Sequence, residues 1–357
     1  MKLEQALTYD DINIKPAYSE VLARSNIKLT TKFTKNTEIT IPIVSTPMDT
    51  ITEADMAIEM GRLGGVGVIH RFNTIEQQVE MISNVSKSLH DISIEEAKKY
   101  GFTSTPICAA VGVTEDYLER AKELVFNGCN VILIDVAHGH HKLVKKAVEE
   151  FRNEFGRNVE IIGGCIATKE ATKDLCEWGV DGLRVGVGNG SLCETRIRTG
   201  VGLPQVTALL DVCSVADGYD VPVIADGGIR NVGDVCKGLG CGADTIMVGS
   251  LLSGTKESPG SIEKIGEWPN EQLFKKYRGS ASLDSKLDRG EDKNVEGNHK
   301  VIPYKGKVKR IIGDIEDGIR SSCSYVGASN LEEYRSLVEF VEVTRAGQVE
   351  AQPYLLN

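Results

Sequence analysis

Residues 186–202 read GVGNGSLCETRIRTGVG, a glycine-rich loop around one cysteine, Cys193, which is followed by Glu194, Thr195, Arg196 and Arg198. The thiolate is the nucleophilic form of cysteine, and converging backbone amides with cationic neighbours lower a thiol pKa from its reference near ~8.5. Most free cysteines are small packed hydrophobes, but a structural thiol needs no such company. Thr195, two residues on, can pass a proton to or from a substrate that Cys193 holds. Gly188, Gly190 and Cys193 can also offer carbonyl oxygens to a monovalent cation.

A second group of residues suits an anion. Gly227, Gly228 and Gly249 allow backbone amides to approach a phosphate closely, and Ser191 and Ser250 add hydroxyl donors. Taken singly, each glycine is equally well a tight turn. Asp226 beside them offers two acceptor oxygens, suited to a pair of ribose hydroxyls. Together they suggest a nucleoside monophosphate. His138, His140 and His141 cluster in AHGHHK, but a zinc site needs convergent ligands and supporting partners. An exposed turn opening a helix is the expected reading there, and the run DRGEDK (288–293) reads as a solvated face.

Eight short apolar runs must position these groups: PIVST (42–46), VGVIH (66–70), PICAAVGV (106–113), VILIDV (131–136), VEIIGG (159–164), GLRVGV (182–187), VPVIAD (221–226) and DTIMVGS (244–250). Each is too continuously apolar for a half-exposed strand and precedes a polar, helix-like stretch such as TEADMAIEMGRL or HKLVKKAVEEFRNEF. Strand then helix, eight times, predicts an α/β (β/α)8 TIM barrel whose site residues follow the strands. A doubly wound open sheet has the same periodicity. Residues 255–309 break the rhythm and read as a long mobile loop and flap after strand eight, within a single domain spanning 1–357. KVKRIIGDIEDGIRSS and SNLEEYRSLVEF read as closing helices.

The 357 residues carry a net charge of −10, which argues against general affinity for nucleic acid or anionic membranes. No apolar run approaches the ~20 residues of a membrane span, and the start MKLEQALTYDD lacks a signal-peptide pattern, so a cytoplasmic location is expected. Nine cysteines, never spaced C-x-x-C, fit a reducing compartment and neither a disulfide framework nor a zinc site.

GVGNGSLCETRIRTGVGLPQ resembles the IMP dehydrogenase and GMP reductase family, as do LTYDDINIKPAYSEV, IPIVSTPMDTITEADMAIEMGRLGGVGVIH, VILIDVAHGH, VPVIADGGIRNVGDVCKGLGCGADTIMVGSLLSGT and YRGSAS. The likeness runs from about residue 7 to the C-terminus. It implies a barrel, usually a homotetramer, that performs hydride chemistry at C2 of a purine nucleoside monophosphate through a covalent cysteine adduct. By position, Cys193 resembles the nucleophile and Thr195 its proton-relay partner, while Glu296 matches an acidic residue that touches the purine and, in the reductase, completes a relay with the threonine. Ser45, Met48, Ser191, Asp226, Gly228, Gly249, Ser250, Tyr277, Gly279, Ser280 and Ala281 match nucleotide contacts. Asp135, Arg184 and Cys165 fall where the family meets the nicotinamide cofactor. Gly188, Gly190 and Cys193 match a potassium loop, with Glu350, Ala351 and Gln352 resembling the segment that a neighbouring subunit adds.

The two branches of the family run different reactions. The dehydrogenase branch carries an adjacent Arg-Tyr pair on its flap to activate water, whereas here Arg289 precedes Gly290 and no tyrosine lies between Tyr277 and Tyr304. GSAS, GEDKNVEG and RSSCSYVGA resemble the reductase. The expectation is therefore an NADPH-dependent GMP reductase that releases ammonia and forms IMP. An NAD-dependent IMP dehydrogenase is the alternative, supported by the amino-terminal third and the tail AGQVEAQP. The CBS domains that many dehydrogenases insert after the second strand are absent. Cys165, Glu194 and Asn189 depart from the family pattern. A barrel that binds nucleotide without turnover, and a flavin-dependent barrel, give this cysteine loop no role.

Overall fold

The computed structural model describes residues 3–90, 106–266, 270–288, 290 and 295–352. Eight parallel strands close into a barrel: Ile43–Ser45, Val66–Ile69, Cys108–Val111, Val131–Ile134, Glu160–Ile166, Gly182–Val185, Val223–Asp226 and Thr245–Val248. Each lies within, or within two residues of, one of the eight apolar runs. Closure is made by the last strand on the first, with Ile246 opposite Ile43 and Met247 opposite Val44. That pairing excludes the open doubly wound sheet.

Side chains along a strand alternate between faces, and the alternation sorts the core into two layers. Val44, Val66, Val68, Cys108, Ala110, Val131, Leu133, Ile162, Ile224 and Met247 fill the barrel interior together with Phe33 and Ile39. Those last two come from the hairpin Thr31–Thr34 and Thr37–Ile39. The hairpin is also tied to the barrel by Thr34, Asn36 and Thr37, which converge on the buried Glu160 carboxylate. The outward-facing set, including Ile132, Ile161, Leu183, Val185 and Ile246, packs against the helical ring.

Several helices begin where the sequence supplies a cap. Thr168 accepts from Ala171 N ahead of Lys169–Trp178, and Asn231 accepts from Asp234 N ahead of Val232–Gly240. The two closing helices are Val308–Val326 and Leu331–Leu337. Among the described residues no helix is long and apolar enough to cross a membrane.

The segment 255–309 differs from the expected unstructured loop. Glu263–Ile265, Gln272–Arg278 and His299–Pro303 form an antiparallel three-stranded sheet, and Leu283–Leu287 is a short helix capped by Ser282. The sheet is largely solvent-exposed and polar, so its strands carry no apolar run by which the sequence announces them. Arg289 and residues 291–294, on which the Arg-Tyr comparison and most of the DRGEDK reading fall, lie outside the described residues.

Candidate active site

Strand alternation places three charges on the inner face at the carboxyl-terminal mouth of the barrel. Val131 and Leu133 point inward, so Asp135 follows them; Ile224 points inward, so Asp226 does; Leu183 and Val185 point outward, so Arg184 between them faces in. Arg184 Nη1 donates to Asp135 Oδ1 at 2.7 Å, and its Nε and Nη2 both reach Asp226 Oδ2 at 2.8 Å. Arg71, following the second strand, adds a contact from Nε to Asp135 Oδ2 at 3.3 Å. Burial opposes ionisation of Asp135, but the Arg184 and Arg71 guanidinium groups outweigh it and hold the carboxyl below its usual range.

The glycine loop brings the cysteine beside its relay. The Cys193 thiol donates to Thr195 Oγ1 at 3.2 Å, and the Thr195 hydroxyl donates to Glu296 Oε2 at 2.7 Å. Glu296 is delivered by the segment returning from the flap, which zips onto the loop: Glu194 N donates to Glu296 O at 2.8 Å and Asn298 N to Leu192 O at 3.1 Å. Eight of the nine cysteines are buried and Cys193 is the exception. Burial pushes the Cys165 thiol up to about 12, so Cys165 stays protonated near neutrality.

A cavity of about 1040 Å³ opens over these groups. Cys193, Thr195, Glu296, Asp135, Arg184, Asp226 and Cys165 line it, with Met48, Ser191, Tyr277, Gly279, Ser280, Ala281, Gly188 and Gly190. The IMP dehydrogenase / GMP reductase domain model matches residues 6–354. The chain belongs to that family.

Relatives within the IMP dehydrogenase / GMP reductase family correct the expected branch. A protein named inosine-5'-monophosphate dehydrogenase from Cryptosporidium parvum is 39% identical over 382 residues, covering 96% of this chain and 93% of its own length. One so named from Borreliella burgdorferi is 35% identical over 398 residues, covering 98% and 97%. A third, from Nitrosopumilus maritimus, is 33% identical over 476 residues, covering 99% of both. The GMP reductase expectation is overturned by these names, and NADPH as its cofactor loses its support. It rested on the flap lacking an adjacent Arg-Tyr pair and on the likeness of GSAS, GEDKNVEG and RSSCSYVGA to the reductase, short local features set against identity that runs over nearly the whole chain. The third alignment exceeds this chain's 357 residues by 119 positions, while the first two exceed it far less. Dehydrogenase names therefore occur with and without the extra length.

The remaining family positions divide. Ser191 Oγ and Tyr277 Oη meet at 2.9 Å, and a Cβ on Gly249 would stand 3.5 Å from that Tyr277 hydroxyl and 3.7 Å from Met48 sulfur. Gly228 N donates to Asn189 O at 2.9 Å, which joins the loops after strands six and seven. Gly228, Gly249 and Ser250 border the cavity without lining it, and Ser45 is wholly buried with its hydroxyl accepting from Thr52 at 2.8 Å. Glu350, Ala351 and Gln352 close a helix fixed by Gln348 Nε2 donating to Asp10 O at 3.0 Å. Among the described residues no hydrogen bond or ion pair joins them to the glycine loop.

Glu194 forms an ion pair with Arg198 at 2.9 Å and does not line the cavity. His141 caps Lys142–Phe155 through Leu143 N, and His140 pairs with Asp174 at 2.7 Å, which bears out the bland reading of that cluster. Among the described residues no group of His, Cys, Asp and Glu is arranged to hold a metal ion. Sequence reasoning missed Arg71 and Arg120. Arg120, buried, donates to Gln78 Oε1 at 2.9 Å and pairs with Asp116 at 3.0 Å at the far wall of the cavity. Neither belongs to an apolar or glycine-rich signal.

Proposed function

We propose that this chain oxidises IMP at C2 with NAD and then hydrolyses the resulting thioimidate to XMP. The observation that carries the reading is the continuous donor chain from the Cys193 thiol through Thr195 to the Glu296 carboxylate, opening on one cavity. It supplies a nucleophile and a base in line. Cys193 loses its proton to solvent as sulfur bonds to C2 of IMP. NAD, when bound, accepts the hydride that leaves C2. A water molecule then attacks C2, its proton passes through Thr195 to Glu296, and the carbon–sulfur bond breaks with the departing Cys193 sulfur taking that proton back.

The nucleotide would rest with its phosphate near Gly228, Gly249 and Ser250 and its ribose near the free oxygen of Asp226, since Arg184 engages only Oδ2. The cavity fits a dinucleotide on the other side. Asp135, Arg71 and Asn73 line that wall, and Arg120 there is already neutralised by Asp116, an arrangement that favours NAD over a cofactor with an extra phosphate. Carbonyls of Gly188 and Cys193 carry no hydrogen bond among the described residues, so the loop fits a potassium ion, completed by Glu350, Ala351 and Gln352 of a neighbouring copy. Exposed Tyr18, Leu22 and Tyr325 support assembly with further copies, a homotetramer in this reading, which would bring that neighbour to the loop. The decisive experiment follows the reduced-nicotinamide absorbance with IMP plus NAD. Appearance of NADH is expected; no NADH, or faster turnover of GMP with NADPH, would sink the reading.

A further inference from the structure

Glu296 reaches Thr195 only because its segment is held against the barrel, and one side chain stands at the junction that holds it. Arg278 ends the strand Gln272–Arg278 and pairs in antiparallel register with His299, three residues beyond Glu296. Its Nε and Nη2 donate to Asp49 Oδ2 at 3.0 and 2.8 Å, and its Nη1 donates to Asp288 Oδ2 at 2.6 Å. Asp49 belongs to the loop after the first barrel strand, and Asp288 follows the short helix Leu283–Leu287. The backbone is fixed as well: Arg278 N donates to Thr50 Oγ1 at 3.2 Å, and Gly279 N donates to Asn298 O at 2.9 Å.

We propose that Arg278 is a positioning residue that holds Glu296 on Thr195, by tying the barrel mouth at Asp49 to both arms of the segment between Tyr277 and His299. A planar fork can serve two carboxylates at once, which a lysine ammonium on a flexible stem does not reproduce. The assignment is separate from proton transfer, since Arg278 lines a neighbouring recess and not the cavity over Cys193. Its kinetic consequence rests on the IMP-oxidising reading: hydride loss needs the thiolate, whereas hydrolysis also needs Glu296 held in place.

The test uses two variants of the full chain. Asp49 Oδ1 is buried without a partner, so Arg278→Ala would strand a buried carboxylate and risks misfolding. Arg278→Lys keeps the charge, and Asp288→Ala removes the exposed arm, whose residue also lines the edge of the cavity. The amides of Glu194 and Asn298, which make the zipper, and that of Glu296, which donates to Ala281 O at 3.1 Å, are read by hydrogen exchange. Exchange is expected to quicken about tenfold in Arg278→Lys and about twofold to fivefold in Asp288→Ala, the latter modest because its pair is exposed. With IMP and NAD, first-turnover NADH of Arg278→Lys should stay within about twofold of the parent while its steady-state turnover falls with the exchange change. Parent-like exchange in both variants would overturn the proposal, as would equal losses of first-turnover and steady-state rates. If the parent makes no NADH, the IMP-oxidising reading fails while the exchange result still judges Arg278.

Discussion

The Thr195 hydroxyl donates to Glu296 at 2.7 Å, although 101 residues separate the two. One residue comes from the loop after strand six and the other from a segment beyond strand eight, so the relay exists only when both are docked. Glu296→Gln preserves an acceptor oxygen for Thr195 but cannot take a proton. First-turnover NADH from IMP and NAD should persist, while steady-state turnover drops about 10²–10⁴-fold, the usual contribution of a positioned base. Mass spectrometry should find the nucleotide accumulating on Cys193. Unchanged steady-state turnover would remove Glu296 from the mechanism.

Two cysteines line the cavity and should behave oppositely. Cys193 is partly exposed and joined to the relay, whereas Cys165 is buried and its thiol is pushed up to about 12 by burial. Cys193→Ala should abolish turnover yet bind IMP within about threefold of the parent, because phosphate and ribose contacts come from other loops. Cys165→Ala should keep turnover within about threefold. Calorimetric titration of IMP together with NADH assays separates the two outcomes. Activity surviving in Cys193→Ala would refute the covalent step.

The eight strands were legible because each barrel strand is covered on both faces, so its sequence is an uninterrupted apolar run. Cys193, Asp226 and the glycines were legible for a related reason: they interrupt or end such runs with residues that packing alone does not ask for. The pairing of Arg184 with Asp135 and Asp226 was not, since it depends on three strands becoming neighbours at one height. The sheet formed by Glu263–Ile265, Gln272–Arg278 and His299–Pro303 was hidden because its exposed strands carry polar residues on both faces. Arg278, inside YRGSAS, was given no role, because nothing in the sequence places Asp49 and Asp288 beside it.

The charged floor of the site carries a pH signature. Burial tends to raise the Asp135 carboxyl, but Arg184 and Arg71 more than offset it, and the folded value lies below the usual one. A depressed carboxyl contributes stability that is present above its unfolded value near ~3.9 and is lost as pH falls through the folded value. The parent's thermal midpoint should therefore gain no slope from this group between pH 6 and 8 and should fall on acidification below about pH 4. Asp135→Asn should show a shallower acid limb in differential scanning fluorimetry. Parallel acid limbs would place the pairing energy elsewhere.

Gly227 tests the phosphate loop by geometry alone. Its φ of +93° is one that side-chain-bearing residues rarely adopt, and a Cβ there would stand 2.9 Å from Asn189 Cβ and 3.0 Å from Asn189 carbonyl carbon. Asn189 cannot yield easily, because its carbonyl accepts Gly228 N and its side chain is bound to Gln205. Gly227→Ala must then shift the turn that carries Gly228, at a cost of about 1–3 kcal/mol. If that turn cradles the nucleotide phosphate, KM for IMP should rise about tenfold, with KM for NAD nearly unchanged because Asp135 and Arg71 stand on other strands. Gly218, exposed in a surface turn with open space around its Cβ position, supplies the comparison, since Gly218→Ala should leave both constants as they were. A tenfold rise in both KM values for Gly227→Ala would mean that the substitution loosens the barrel mouth as a whole, and the phosphate assignment of this loop would fall.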